Sequence, residues 1–214
     1  MSYFNEAFQV ILKNEGGYNN HPEDKGGETY RGIARVYFPN WPGWAIIDKV
    51  KADRAKKGDR IKSEEIINND ELNFLVRDFY QKNKWANKGL DQIKNAGVAT
   101  LLFDMSTQHG NWARVVNLSL LGKPIKNWFD NSVPNTLTKQ TVDNVNNAPE
   151  SSYYTIANAR KQYVQYLLDT GRLSRTFENG IMSRVNKFIT NAWNFVLTPA
   201  GTATSLFVIA GFFF

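Results

Sequence analysis

The sequence predicts a mainly α fold with one short β-hairpin or loop directly after the first helix. Apolar residues recur at helical spacing, beginning with Phe4, Phe8, Ile11 and Leu12. Most of the segments so marked stop at glycine, asparagine or proline. One stretch, residues 18–32, is crowded with Gly, Asn and Asp around Pro22, and reads as loop or hairpin, not helix.

Taken in order, residues 4–15 form the first amphipathic helix, which Gly16-Gly17 ends. After the irregular stretch, FPNWPGW (38–44) holds two prolines and two tryptophans and reads as a rigid aromatic turn. A helix is expected at about 45–56, within a run rich in Lys and Arg. Ser63, followed by Glu64 and Glu65, looks like an N-cap with an acidic first turn. Further helices are expected at about 69–84, 91–108 (stopping at Gly110) and 111–121, with Asn111 as the last one's cap. Residues 122–134 form a linker-like stretch with Gly122, Pro124 and Pro134, before helices near 135–146, 151–171 and 178–196.

Composition narrows the function. The 214 residues are 42% hydrophobic and 21% charged, ordinary for a folded chain with a real core. The net charge of +6 suits a polyanionic partner. No Cys/His finger, RNP-like segment or long basic run points to nucleic acid. The chain has no cysteine, which excludes disulfides, thiolate nucleophiles and Cys-based zinc sites. Its two histidines, His21 and His109, are too few for a multi-histidine metal site, and no serine lies in a nucleophile elbow. No cofactor or metal is expected. The N-terminal MSYFNEAFQVILKN lacks a signal peptide's apolar run and cleavage site, so an acting place outside the cytoplasm would be reached by another route.

The chemistry-bearing segment is Glu15-Gly16-Gly17-Tyr18, followed by Asp24-Lys25-Gly26-Gly27-Glu28-Thr29 and Gly32-Ile33. Glu15 stands at the C-terminal end of an apolar helix. There the negative end of the helix dipole and partial burial both disfavour a carboxylate, which suits a general acid. The plainer reading of these residues is a surface glutamate before a Gly-Gly cap. A hairpin across the loop would bring Asp24 and Thr29 toward Glu15, giving the two-carboxylate logic of glycoside hydrolysis. Asp24 would then orient a water or stabilise positive charge at the anomeric carbon, and Thr29 would hold that water.

The run ILKNEGGY…DKGGETYRGI resembles the start of glycoside hydrolase family 108, the N-acetylmuramidases of phage and secretion systems. The spacing from Glu15 to Asp24 and Thr29 is similar to the Glu/Asp/Thr set of phage-type lysozymes. The resemblance continues through Tyr80 and Trp85, the Phe-Asp helix ATLLFDMSTQHG (99–110), and Phe177, Gly180 and Arg184-Val185. It departs at Gln108-His109-Gly110, where the family usually has an asparagine before the glycine, and at residues 130–136. It implies a lysozyme-like helical fold, Glu15 as catalytic acid, and peptidoglycan as substrate. It also implies a catalytic lobe over 1–122 and a peptidoglycan-associated helical region over 123–197.

Tyr18, Tyr30 and Tyr80 could bind sugar or pack in the core, and Trp41 and Trp44 could wall the cleft. Asp104, inside an apolar helix, reads as a buried residue tying helices together, with a substrate role as the alternative. His109 reads as a helix-end cap. The uncharged tail from 203 (ATSLFVIAGFFF, after a boundary at 198) is too short to span a bilayer alone. It would contact a membrane, contact a phage-tail or secretion assembly, or fold back on the core. Two other functions compete with a muramidase: a lytic transglycosylase using the same Glu15, and a non-enzymatic wall-binding or structural component.

Overall fold

The computed structural model describes residues 3–20, 27–129 and 131–190. Asp24 and the apolar tail lie outside the described residues. Among these residues are eight α-helices and one three-stranded antiparallel sheet, the mainly α, lysozyme-like architecture expected. None of the helices is long and apolar enough to cross a membrane, and no His/Asp/Glu group of metal-binding type occurs among the described residues.

Contacts divide the chain into two units, residues 8–83 and residues 1–7 with 84 onward. The first helix, α1 (Phe4–Asn14), contributes to both. In the 8–83 unit the sheet follows: β1 (Tyr18–Asn19), β2 (Thr29–Tyr30) and β3 (Ile33–Ala34). Tyr18 pairs with Tyr30 and Asn19 with Thr29, while Tyr30 pairs with Ile33 across a two-residue turn. Helices α2 (Gly43–Ala55) and α3 (Asp70–Tyr80) complete the unit. Its core is aromatic: Phe79 meets Phe38 edge-on at 4.7 Å, and Trp41 meets Trp44 at 5.1 Å.

Several boundaries differ from expectation, with helices starting at Ala96 and Lys139 where 91 and 135 were expected. Ser63 does not start a helix; the cap is Asn69, whose side chain accepts the Leu72 N–H at 2.8 Å. Ser63-Glu64 instead forms a turn that pairs with β1, and that tertiary pairing overrides the local cap signal. α3 also ends at Tyr80, and one π-helical turn, Gln81–Trp85, carries the chain on.

The other unit is built on α4 (Ala96–Gln108), α5 (Trp112–Leu120), α6 (Lys139–Asn147), α7 (Pro149–Asp169) and α8 (Glu178–Thr190). Ten consecutive residues of α4, Gly97 to Ser106, are buried, so this helix is covered on every side. Trp85 packs edge-on against Phe4 and Phe103, and its indole N–H donates to Asp91 Oδ1 at 2.6 Å. Asp104 ties helices together, as its sequence context suggested. It is fully buried, takes a hydrogen bond from Arg160 of α7, and is held by Arg184 of α8 through Nε at 2.9 Å and Nη2 at 2.7 Å. The Arg160 guanidinium also donates to Gln108 and lies 5.3 Å from the centre of the Phe188 ring.

His109 follows α4, with its ring edge-on to Tyr163 at 5.6 Å. Its Nε2 is sealed from solvent and has no hydrogen-bond partner among the described residues. Burial, with Arg160 nearby, lowers its pKa from 6.5 to about 3. The native ring therefore stays neutral while the unfolded chain takes up a proton below pH 6.5. This contribution to stability is complete above about pH 6.5 and is lost as pH falls toward 3. Urea unfolding at pH 7 and pH 4 should show that His109→Gln removes part of the acid loss, on the order of 2 kcal/mol.

Candidate active site

The site grows from the end of α1. Glu15 closes the helix, its N–H donating to Ile11 C=O at 3.1 Å, so its side chain stands at the negative end of the helix dipole. It is partly exposed. The chain then runs straight into β1 between two neighbours. On one edge Arg31 N–H donates to Gly17 C=O at 3.1 Å. On the other, Tyr18 and the 64–65 turn exchange backbone hydrogen bonds, Tyr18 N–H to Glu65 C=O at 2.9 Å and Glu64 N–H to Tyr18 C=O at 2.8 Å.

This explains both glycines after Glu15, and the reason is close approach. A Cβ on Gly16 would collide with the carboxylate of Glu64. A Cβ on Gly17 would collide with the backbone carbonyls of Glu64 and Glu65. The Glu64 carboxylate accepts the Gly17 N–H at 3.1 Å. Glu64 itself has φ +62, at the third position of a turn closed by Glu65 N–H to Lys62 C=O, where glycine is usual. Glu65 anchors this turn. It is ion-paired to Arg54 of α2 and accepts the Lys62 N–H, and both interactions hold its pKa below the usual carboxylate value.

The β2–β3 hairpin meets Glu15 from the other side. Its two-residue turn, Arg31-Gly32, has φ +49 and +73, the left-handed pair of a type I′ turn. Tyr80 of α3 donates its hydroxyl proton to Arg31 C=O at 2.8 Å, and Arg31 Nη1 caps α1 through Leu12 C=O at 3.3 Å. A Cβ on Gly32 would stand 2.6 Å from Glu15 Oε2 and 2.6 Å from Tyr80 Oη. The bare face of Gly32 is thus where the Glu15 carboxylate and the Tyr80 hydroxyl converge. A part-exposed carboxyl group lodged between a tight turn and a phenol can, in its protonated form, deliver a proton to a bound oxygen.

The other expected residues are placed as follows. Thr29 opens β2, and its hydroxyl donates to Gly27 C=O at 3.3 Å. Tyr18 is buried, and its hydroxyl donates to Glu28 at 2.8 Å. Burial and Glu28 push its pKa up to about 12. Glu28 is itself engaged by Lys51 and Arg35, each at 2.8 Å, and serves to bind the sheet to α2. Tyr30 is fully buried, its hydroxyl accepting the Ile67 N–H at 3.2 Å. Trp41 and Trp44 lie in the core with indole N–H groups donating to the Leu75 and Phe38 carbonyls. Of the residues singled out in the sequence, the structure brings Glu15 and Tyr80 together at Gly32. Glu64 is the residue sequence reasoning missed, because the glycine pair it lies against reads in the sequence as an ordinary helix end.

Residues 8–110 match the sequence profile of the glycosyl hydrolase 108 family. No curated protein matches the chain. Among solved structures, the chain is similar to SagA of Brucella abortus, with 22% identity and a TM-score of 0.58 over 92% of this chain and 97% of that one. That likeness bears on the fold.

Gly32→Ala should be severe for the site and modest for the fold. Peptidoglycan-degrading activity should fall at least about tenfold, while the left-handed turn costs about 1–2 kcal/mol. Activity assays beside circular dichroism and thermal unfolding check this. The match of residues 8–110 to the glycosyl hydrolase 108 family, on a lysozyme-like fold, supports a glycoside hydrolase and indicates peptidoglycan-degrading activity.

Proposed function

We propose that the protein is an N-acetylmuramidase that hydrolyses the β-1,4 bond between N-acetylmuramic acid and N-acetylglucosamine, with Glu15 as its general acid. The observation that carries this is the seat of Glu15, at the end of α1 and against the bare face of Gly32 beside Tyr80. A proton from the Glu15 carboxyl passes to the bridging oxygen as the anomeric C–O bond breaks. Water adds to the anomeric carbon, and its proton passes to a base. Asp24 and Thr29 are the proposed handlers of that water, in keeping with the two-group chemistry of glycosidases. The net charge of +6 supports an anionic wall polymer as partner.

The test is mass spectrometry of products from purified peptidoglycan, comparing the parent with Glu15→Gln. The parent should release reducing-end muropeptides, and the variant should be slower by about 10²–10⁴-fold. Anhydro products, one water lighter, would instead identify a lytic transglycosylase using the same residue. Equal rates from parent and variant would remove Glu15 from the mechanism.

A further inference from the structure

Beside the Glu15 site, the 8–83 unit holds a groove of about 620 Å³ between β1 with Asn20 on one side and the end of α2 with residues 59–63 on the other. That volume is in the range of pockets that enclose a small ligand, about 300–1,000 Å³. Part of its wall is apolar, from Tyr18 and Ile61, both largely buried. Cations dominate its charged lining: Lys51, Arg60 and Lys62 against the single carboxylate of Asp59.

These charges are not equivalent. Lys51 is spent on Glu28 at 2.8 Å, and Asp59 lies 3.8 Å from Arg54. Arg60 and Lys62 are exposed and form no ion pair with a carboxylate among the described residues. The groove therefore carries two positive charges without an ion pair among the described residues above an apolar wall, the Lys62 charge also acting at longer range on Glu65. Its end at Ser63 adjoins Glu64, whose carboxylate lies on Gly16, next in the chain to Glu15.

We infer that this groove receives the peptide stem of the muramic acid residue, with Arg60 and Lys62 holding its free carboxylates and Tyr18 and Ile61 backing its small apolar side chains. The inference rests on peptidoglycan being the substrate. A neutral glycan alone offers nothing for the two cations, whereas the stem supplies anionic groups on a short extended chain branching from the sugar. Such contacts between exposed charges are individually weak and are screened by salt. Two of them acting on one ligand are expected to set substrate preference more than the rate of bond cleavage.

The experiment measures binding, without turnover, in the full-length Glu15→Gln protein. Co-sedimentation is measured with peptidoglycan free of phosphate polymers, either intact or stripped of its stems by an amidase and then amidated at the lactyl carboxylates this frees, so that the stripped glycan is neutral. Arg60→Glu with Lys62→Glu, introduced together, should weaken binding to the intact polymer by about tenfold at low salt. The same pair should change binding to the stripped glycan by less than about twofold. The milder Arg60→Gln with Lys62→Gln should give the same pattern at smaller size, and thermal unfolding checks that both pairs fold. Equal loss on both polymers, or no loss on either, would overturn the assignment. Binding in this pattern by the Glu15→Gln protein, with no muropeptides released by the parent, would defeat the muramidase reading while leaving the groove's ligand in place.

Discussion

The site depends on close backbone approach at three glycines. Gly16 and Gly17 let the 63–65 turn close against the end of α1, and Gly32 lets the Glu15 carboxylate lie on the hairpin turn. Each contact fixes another. The 64–65 turn pairs with Tyr18, Tyr18 pairs with Tyr30, and the turn after Tyr30 is held by Tyr80 through Arg31 C=O. The left-handed backbone of Glu64 and Arg31 is tolerated because the surrounding hydrogen bonds over-determine it. The effect is to hold the Glu15 side chain in one place on a rigid frame, as the proton delivery proposed for it requires.

Charge organises the other unit in a comparable way. Asp104 is a buried anion facing the cations of Arg160 and Arg184, and so draws α7 and α8 onto α4. Burying these groups is costly, and only full pairing makes it tolerable. Burial lowers the pKa of Arg160, while the neighbouring Asp104 carboxylate opposes that shift. The bridge adds direction to apolar packing among Val164, Leu168 and Val185, which by itself would not select a rotation for α8.

The helices were legible because amphipathic periodicity is local: the expected spans at 4–15, 45–56 and 151–171 agree with α1, α2 and α7 to within two residues at each end. Asp104 was legible for a related reason, since a carboxylate on an apolar face must find a partner. Ser63 misled because capping is also local, while the fate of residues 63–65 is decided by strand pairing with Tyr18, far away in sequence. Glu15 could be singled out as a candidate from its place between an apolar helix and two glycines. Glu64 could not, because nothing in its own neighbourhood records that it lies against Gly16. Tryptophans 41 and 44 show the limit of composition, since a ring suited to stacking on sugar is equally suited to the core they occupy.

The most direct test of the central claim is a crystal structure of the Glu15→Gln protein bound to an oligosaccharide of alternating N-acetylmuramic acid and N-acetylglucosamine. The expected result places a bridging oxygen within about 3.2 Å of the residue 15 side chain, with that side chain still seated on Gly32 beside Tyr80. An oligosaccharide bound with its bridging oxygens remote from residue 15 would contradict the assignment of Glu15 as the acid.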